Sequence, residues 1–246
     1  KTAYEISTRD WSSDVCSSDL LALSDFCQIK KHGSMEMIHS LVETYASDHT
    51  SPLNSLLEEV EIFTLKEHPH AHMLSGKVQG RLLQVISQMM QPRYVLEIGT
   101  FTGFSALCLT AGLLPNGELH TIEVREQDAQ TAKAYFDQSD RSQQIQLHTG
   151  NALNIIPTLN FDWDLVFLDA DKVNYTAYYE MVVPRMKQGG WLIADNVLFH
   201  GQVLEQPVTG KNALAIQEFN KHVMEDERTE KLMLTVRDGL LIIRKK

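Results

Sequence analysis

Two short apolar runs that end in polar residues constrain this chain most. They are Leu165-Val-Phe-Leu-Asp-Ala-Asp-Lys172 and Trp191-Leu-Ile-Ala-Asp-Asn196, and both follow a glycine turn, Val95-Leu-Glu-Ile-Gly-Thr-Phe-Thr-Gly103. A strand that is apolar at consecutive positions must be covered on both faces, as in a parallel sheet flanked by helices. Each run delivers its polar residues at the carboxyl end, the edge where open α/β sheets bind ligands. Asp169, Asp195 and Asn196 therefore bring oxygen donors to one crevice beside a nucleotide-type turn. That pattern predicts a cofactor and a hard metal ion sharing the crevice.

From Tyr94 onward the hydrophobic period alternates between strand and helix. Strands are expected at 94–98, 118–124, 145–149, 164–168 and 190–194, with helices at 103–113, 126–137, 152–157 and 175–186. A helix at 212–223 precedes two last strands, 231–236 and 240–244, separated by the tight-turn signal Arg237-Asp-Gly239. This alternation implies right-handed crossovers and a Rossmann-like, doubly wound α/β sheet. The sheet should be mainly parallel, with one antiparallel member from the C-terminal hairpin. N-terminal helices precede it. Residues 35–46 carry a stripe of Met37, Ile38, Leu41, Val42 and Tyr45. Ser51 and Pro52 fit the N-cap and first position of a second helix, which places Leu53, Leu56, Leu57 and Val60 on one face. A third helix is expected at 76–90.

Residues 1–34 stand apart. Asp10-Trp-Ser-Ser-Asp-Val-Cys-Ser-Ser-Asp-Leu20 has neither a helical nor a strand period and looks like the in-frame translation of a sequencing-library adapter. The expectation is a non-native translated segment at 1–34, a start at Met35 or Met37, and one domain over 35–246. Beyond that segment Cys108 is the single cysteine, which excludes a disulfide framework or thiolate cluster and fits a reducing cytoplasm. A net charge of −10 disfavours nonspecific binding to nucleic acid or anionic membrane. No apolar stretch approaches the length of a membrane span.

At the glycine turn, Gly99 lets backbone amides approach a ligand and Gly103 lets a helix start close to the sheet. The spacing is not the G-x-G-x-x-G of dinucleotide sites. Glu97, just before the turn, would repel a pyrophosphate and welcome a cationic amine. Glu123, ending the next strand, can accept hydrogen bonds from both hydroxyls of a ribose. A ligand with a ribose and a cationic tail but no phosphate is S-adenosylmethionine. On these residues the chain resembles the class I S-adenosylmethionine-dependent methyltransferases. More narrowly, it resembles the bacterial branch of the cation-dependent O-methyltransferases of catechol and caffeoyl-CoA type. The resemblance rests on His72-Met-Leu-Ser-Gly76, residues 97–105, Thr121-Ile-Glu123, residues 167–172, Ala194-Asp-Asn196 and Arg237-Asp-Gly-Leu240. It implies Met73 and Ser75 beside the methionine moiety, with Gly99, Phe101 and Ser105 lining its pocket. It also implies Glu123 on the ribose, Asn151 and Ala152 beside the adenine, Asp169 shared between cofactor and metal, and a homodimer with the N-terminal helices at its interface.

Two carboxylates and an amide oxygen suit Mg²⁺, Mn²⁺ or Ca²⁺, and an octahedral shell would leave about three positions for substrate and water. Such a cation lowers a hydroxyl's pKa and orients its oxygen toward a sulfonium methyl. Lys172 is placed to take that proton or to stabilise the phenolate; Asp171 stays outside the ligand set. Singly, these acids are common turn formers. Their joint arrival beside the cofactor turn predicts divalent-cation-dependent O-methylation of a small aromatic bearing vicinal hydroxyls. A tRNA 5-hydroxyuridine acceptor is the alternative; net acidity opposes it and a basic groove would favour it. An NAD oxidoreductase is opposed by Glu97 and the missing third glycine, and a noncatalytic S-adenosylmethionine binder by the full acid and lysine set. His68-Pro-His-Ala-His72 suggests zinc, but Pro69 disfavours a helical pair and no cysteine joins it, so a loop over the cofactor entrance is expected. Cys108, Trp163 and Trp191 are expected in packing roles, and His200 in a loop.

Overall fold

The structure, a computed structural model, describes residues 37–246. The expectations for 1–34, and for Met35 at the head of the first helix, lie outside the described residues. Seven strands form one sheet: β1 Tyr94–Ile98, β2 Glu118–Glu123, β3 Ile145–Thr149, β4 Trp163–Leu168, β5 Met186–Asp195, β6 Thr229–Leu234 and β7 Leu240–Lys245. Their order is β3-β2-β1-β4-β5-β7-β6. Strands β1 to β5 pair in parallel, and β7 enters antiparallel between β5 and β6. The order reverses at β1, between β2 on one side and β4 on the other, so the crevice expected at a topological switch point opens above β1 and β4.

Among the described residues eight α-helices accompany the sheet: α1 Ser40–Asp48, α2 Ser55–Glu67, α3 Gly76–Met90, α4 Phe104–Leu109, α5 Glu126–Phe136, α6 Ala152–Ile155, α7 Tyr175–Val182 and α8 Lys211–Glu225. The two-residue period of the strands divides the core. Val95, Leu119, Leu165, Phe167 and Ile193 pack on one face with Leu57, Leu83, Phe104 and Phe136. Leu96, Ile98, Val166, Leu168 and Leu192 pack on the other with Tyr175, Tyr179, Ile216 and Phe219. Coverage on both faces is why the β4 and β5 sequences are apolar at successive positions.

Three local expectations need correction. Asn54, not Ser51, caps α2, because its Oδ1 reaches the Leu57 N–H at 2.9 Å; Leu53 is buried ahead of the helix. Residues 110–113 do not continue α4: a 3₁₀ turn follows at Thr110, and Gly112 approaches the Ser87 carbonyl too closely to carry a Cβ. Strand β5 starts at Met186 instead of Gly190. Pro184 sits in the 3₁₀ turn that ends the preceding helix, and an irregularity between Trp163 and Leu165 lets the Gly189-Gly190 stretch stay in the sheet. No described helix is long and apolar enough to cross a membrane.

Candidate active site

Gly99 leaves β1 at φ +102°, and a Cβ there would lie 2.0 Å from the Asp169 carbonyl oxygen. Only glycine lets this turn close against the end of β4. The Asp169 N–H donates to the Ile98 carbonyl at 2.9 Å, and the Gly99 N–H to the Ile122 carbonyl at 3.0 Å. The ends of β1, β2 and β4 are thereby tied together. Beneath the turn Glu97 is wholly buried. Its Oε2 accepts from the Thr121 hydroxyl, while Oε1 has no hydrogen-bond partner. Burial pushes its pKa up to about 8; the nearby Ser105 and Thr121 hydroxyls oppose that shift, and the charges of Asp169 and Glu123 add to it. A buried carboxyl with one bare oxygen is an incomplete arrangement. A cationic N–H donor would complete it.

Glu123 ends β2, nearly buried. Its Oε2 accepts the Phe101 N–H at 2.7 Å and its Oε1 the Arg125 N–H at 2.9 Å, which holds Phe101 in the left-handed region at φ +52°. A carboxylate offers about four acceptor sites, so acceptor capacity remains for ligand hydroxyls. The Gly150 N–H donates to the Glu123 carbonyl at 2.8 Å, which brings Asn151 and Ala152 alongside. The Asn151 side chain caps α6 by accepting the Leu153 N–H, and Ala152 is buried.

The His68 ring meets Phe101 edge-on with centroids 4.5 Å apart, and its Nε2 lies 3.0 Å from Asp128 Oδ1. The 68–75 segment thus starts against the cofactor turn. Met73 leaves 43% of its surface exposed instead of packing in the core, and Ser75 is buried at the start of α3. His70 and His72 do not close on a common point with His68. Among the described residues no trio of His, Cys, Asp or Glu has the arrangement of a metal site. Trp163 is wholly buried, Trp191 lies under the Arg244 guanidinium, Cys108 is buried within α4, and His200 is exposed in the loop after β5.

Across the switch point, Asp169 follows β4 and Asp195 ends β5. Lys172 Nζ donates to Asp169 Oδ1 at 2.8 Å and to the Tyr175 hydroxyl at 2.7 Å. Asp195 is 1% exposed. Burial first, and then the Asp169 charge, raise its pKa to about 6, while Gln79, Lys172 and Arg237 act against the rise. The Asp169 charge thus bears on buried Asp195, while Lys172 pairs with Asp169 itself. Asn196 follows in the left-handed region at φ +57°. Two crowded carboxylates and an adjacent amide oxygen fit a hard divalent cation. Asp171 instead locks its own turn, accepting from the Tyr178 hydroxyl at 2.6 Å and from Asn174.

Three residues complete this site without having been assigned to it from sequence. Gln79 donates from Nε2 to Asp195 Oδ2 at 2.6 Å. Arg237 donates to the Ser75 carbonyl and to Gln79 Oε1. Tyr175, wholly buried, reaches the Asp195 carbonyl at 3.0 Å while accepting from Lys172. A glutamine on the buried face of α3 was the available signal for Gln79. Tyr175, an aromatic at the head of a helix, carries no local signal of this role. Tyr175→Phe removes a hydrogen bond to a charged group, worth about 1.5–3 kcal/mol. Turnover is expected to fall about 10–100-fold and the melting temperature by roughly 3–12 °C; steady-state kinetics beside a thermal melt checks this.

The sheet order, the glycine turn with a buried acid below it, and the second acid ending β2 define a Rossmann-like protein with a nucleoside-type site. A profile of the O-methyltransferase family matches residues 46–246. The catechol O-methyltransferase of Niastella koreensis is 34% identical over 146 residues, 58% of this chain and 66% of that protein. A probable caffeoyl-CoA O-methyltransferase of Dictyostelium discoideum is 30% identical over 208 residues, covering 82% of this chain and 90% of the relative. The Bacillus cereus O-methyltransferase, solved in complex with SAH, superposes with a TM-score of 0.78 at 29% identity, covering 84% of this chain and 97% of that one. The chain belongs to the O-methyltransferase family. It is an O-methyltransferase of catechol and caffeoyl-CoA type, with the Rossmann-like fold of the S-adenosylmethionine-dependent members.

Proposed function

We propose that this enzyme moves a methyl group from S-adenosylmethionine to one hydroxyl of a small aromatic bearing vicinal hydroxyls, with a divalent cation in the site. The observation that carries the reading is the Asp169–Lys172–Tyr175 cluster, set beside buried Asp195, with the bare carboxyl oxygen of Glu97 on the neighbouring strand β1. The donor assignment is supported by the SAH complex of the Bacillus cereus relative, and the acceptor class by the names of the catechol and caffeoyl-CoA relatives.

Glu97 would receive the ammonium of the methionine moiety, Glu123 the ribose hydroxyls, and Met73 and Phe101 the apolar sides. Asp169, Asp195 and Asn196 would hold Mg²⁺ or Mn²⁺. When bound, such an ion would supply positive charge that lowers the pKa of a neighbouring aromatic hydroxyl. Lys172, with 12% of its side chain exposed, is held at the site rim by Asp169 and Tyr175. There it takes the hydroxyl proton or stabilises the resulting phenolate. The O–CH₃ bond forms as the S–CH₃ bond breaks, the sulfonium leaves as a neutral thioether, and the opposite charges cancel. Much of the rate then comes from alignment in a site closed to water. Cys108, buried with its thiol pKa pushed far up, is no nucleophile.

Chelator is expected to abolish turnover and Mg²⁺ or Mn²⁺ to restore it, measured by mass spectrometry of products from a catechol panel and from undermodified tRNA. Full activity in chelator would remove the cation from the reading. Methylated tRNA in place of methylated catechols would move the acceptor to RNA.

A homodimer is part of the same proposal. Helix α1 buries none of its residues within the subunit and leaves Leu41, Val42 and Tyr45 exposed; α2 exposes Ile62 and Leu65. A second copy covering these apolar side chains would remove them from water. Leu41→Glu with Tyr45→Glu is expected to give monomers in light scattering, and an unchanged mass would dismiss this interface.

A further inference from the structure

The hairpin turn between β6 and β7 lies far in sequence from the glycine turn, yet Arg237 at its head reaches into the site. Its Nη1 donates to the Ser75 carbonyl and, at 3.2 Å, to Gln79 Oε1. Gln79, wholly buried on α3, in turn donates from Nε2 to Asp195 Oδ2 at 2.6 Å. The other Asp195 oxygen accepts the Asn196 N–H at 2.7 Å.

A glutamine amide can present either its oxygen or its NH₂ group, and only its partners decide which. Between a guanidinium and a carboxylate there is one satisfactory orientation. With the amide reversed, oxygen would face carboxylate and NH₂ would face guanidinium, leaving both contacts repulsive in a buried setting. We infer that Arg237 is a positioning residue: through the amide of Gln79 it fixes Asp195 with one oxygen held from α3 and its carboxylate ready to receive a cation. The inference rests on the cation-binding reading above and names the group that prepares Asp195 for it. The same turn braces the loop beyond. The Leu198 N–H donates to the Asp238 carbonyl at 2.9 Å, the Val197 N–H to the Gly239 carbonyl at 3.2 Å, and Gly239 has no room for a Cβ against Leu198. Arg237 is therefore carried on a turn fixed to the strand end it serves.

The test is calorimetric titration of Mn²⁺ into the full chain, unsubstituted and as Arg237→Met, Gln79→Leu and the double variant, with SAH binding and thermal melts alongside. Each single substitution is expected to weaken Mn²⁺ binding about 10–100-fold, the usual scale for groups that orient a metal ligand. The double variant should be no weaker than Gln79→Leu, since residues acting in one chain are not additive. Arg237→Lys, which keeps a donor, should recover part of the loss; it also serves if Arg237→Met folds poorly. Unchanged Mn²⁺ affinity in folded Arg237→Met, or fully additive losses in the double variant, overturns the inference. No Mn²⁺ uptake by the unsubstituted chain overturns the cation reading itself, and this inference with it.

Discussion

Asp195→Ala is expected to lower turnover by about 10³-fold or more, the rate equivalent of losing several kcal/mol of charge stabilisation, while leaving SAH affinity little changed. The separation follows from the fold. Asp195 ends β5, whereas the carboxyls proposed for the cofactor's amine and ribose lie across β4, Glu97 one residue before the end of β1 and Glu123 at the end of β2. The side chain is 1% exposed and bonded to Gln79, so the alanine variant also leaves the Gln79 NH₂ without its acceptor. Asp195→Asn separates the two effects, because it keeps the volume and removes only the charge. If both variants turn over like the parent, Asp195 is not a cation ligand. Steady-state kinetics across a Mn²⁺ series, beside SAH calorimetry, reads both quantities.

The second large effect belongs to Glu97. Its carboxyl pKa is raised to about 8, chiefly by burial. The folded apo protein therefore holds a proton between the ordinary carboxyl pKa of 4.5 and about 8 that the unfolded chain has lost. By linkage, this group's contribution to apo stability declines as pH rises through that window. A cationic ligand has the opposite preference, since it favours the ionised carboxylate. Below about pH 8 its binding must displace the proton. SAH affinity should therefore rise with pH by up to about tenfold per unit until Glu97 is ionised or the ligand's own ammonium begins to lose its proton. Glu97→Gln should flatten that dependence and weaken binding at pH 8 about 10–100-fold, the loss of one hydrogen bond between charged groups. Calorimetry from pH 6 to 8.5 decides it: a parent protein with pH-independent affinity refutes the role of Glu97.

Much of the parallel sheet was readable because burial on both faces leaves a local mark. The consecutive apolar residues of β1 and β4 admit few alternatives, and the acids after them are displayed at the strand ends. Gly99 was legible as a turn, although its reason is nonlocal: the Asp169 carbonyl occupies the space a side chain would need. The helix caps were less legible. Ser51-Pro52 carries a start signal as good as Asn54's, and only packing of Leu53 beneath α2 decides between them. Likewise Gly189-Gly190 resembles a strand boundary until the irregularity opposite Trp163 shows how β5 runs through it.

The amino-acid sequence by itself determined the alternating architecture, the edge at which the site opens, and the chemical character of Glu97, Glu123, Asp169, Lys172, Asp195 and Asn196. Those properties are written in runs of a few residues, through strand and helix periods and through side-chain charge. The tertiary structure alone decided that Glu97 is fully buried with one bare oxygen, that Tyr175 belongs to Lys172, and that Arg237 and Gln79 serve Asp195. Each of these depends on contacts between distant segments. Gln79 and Asp195 are separated by 116 positions, and no local pattern records which partner a buried polar group will find once the sheet has brought its strands together.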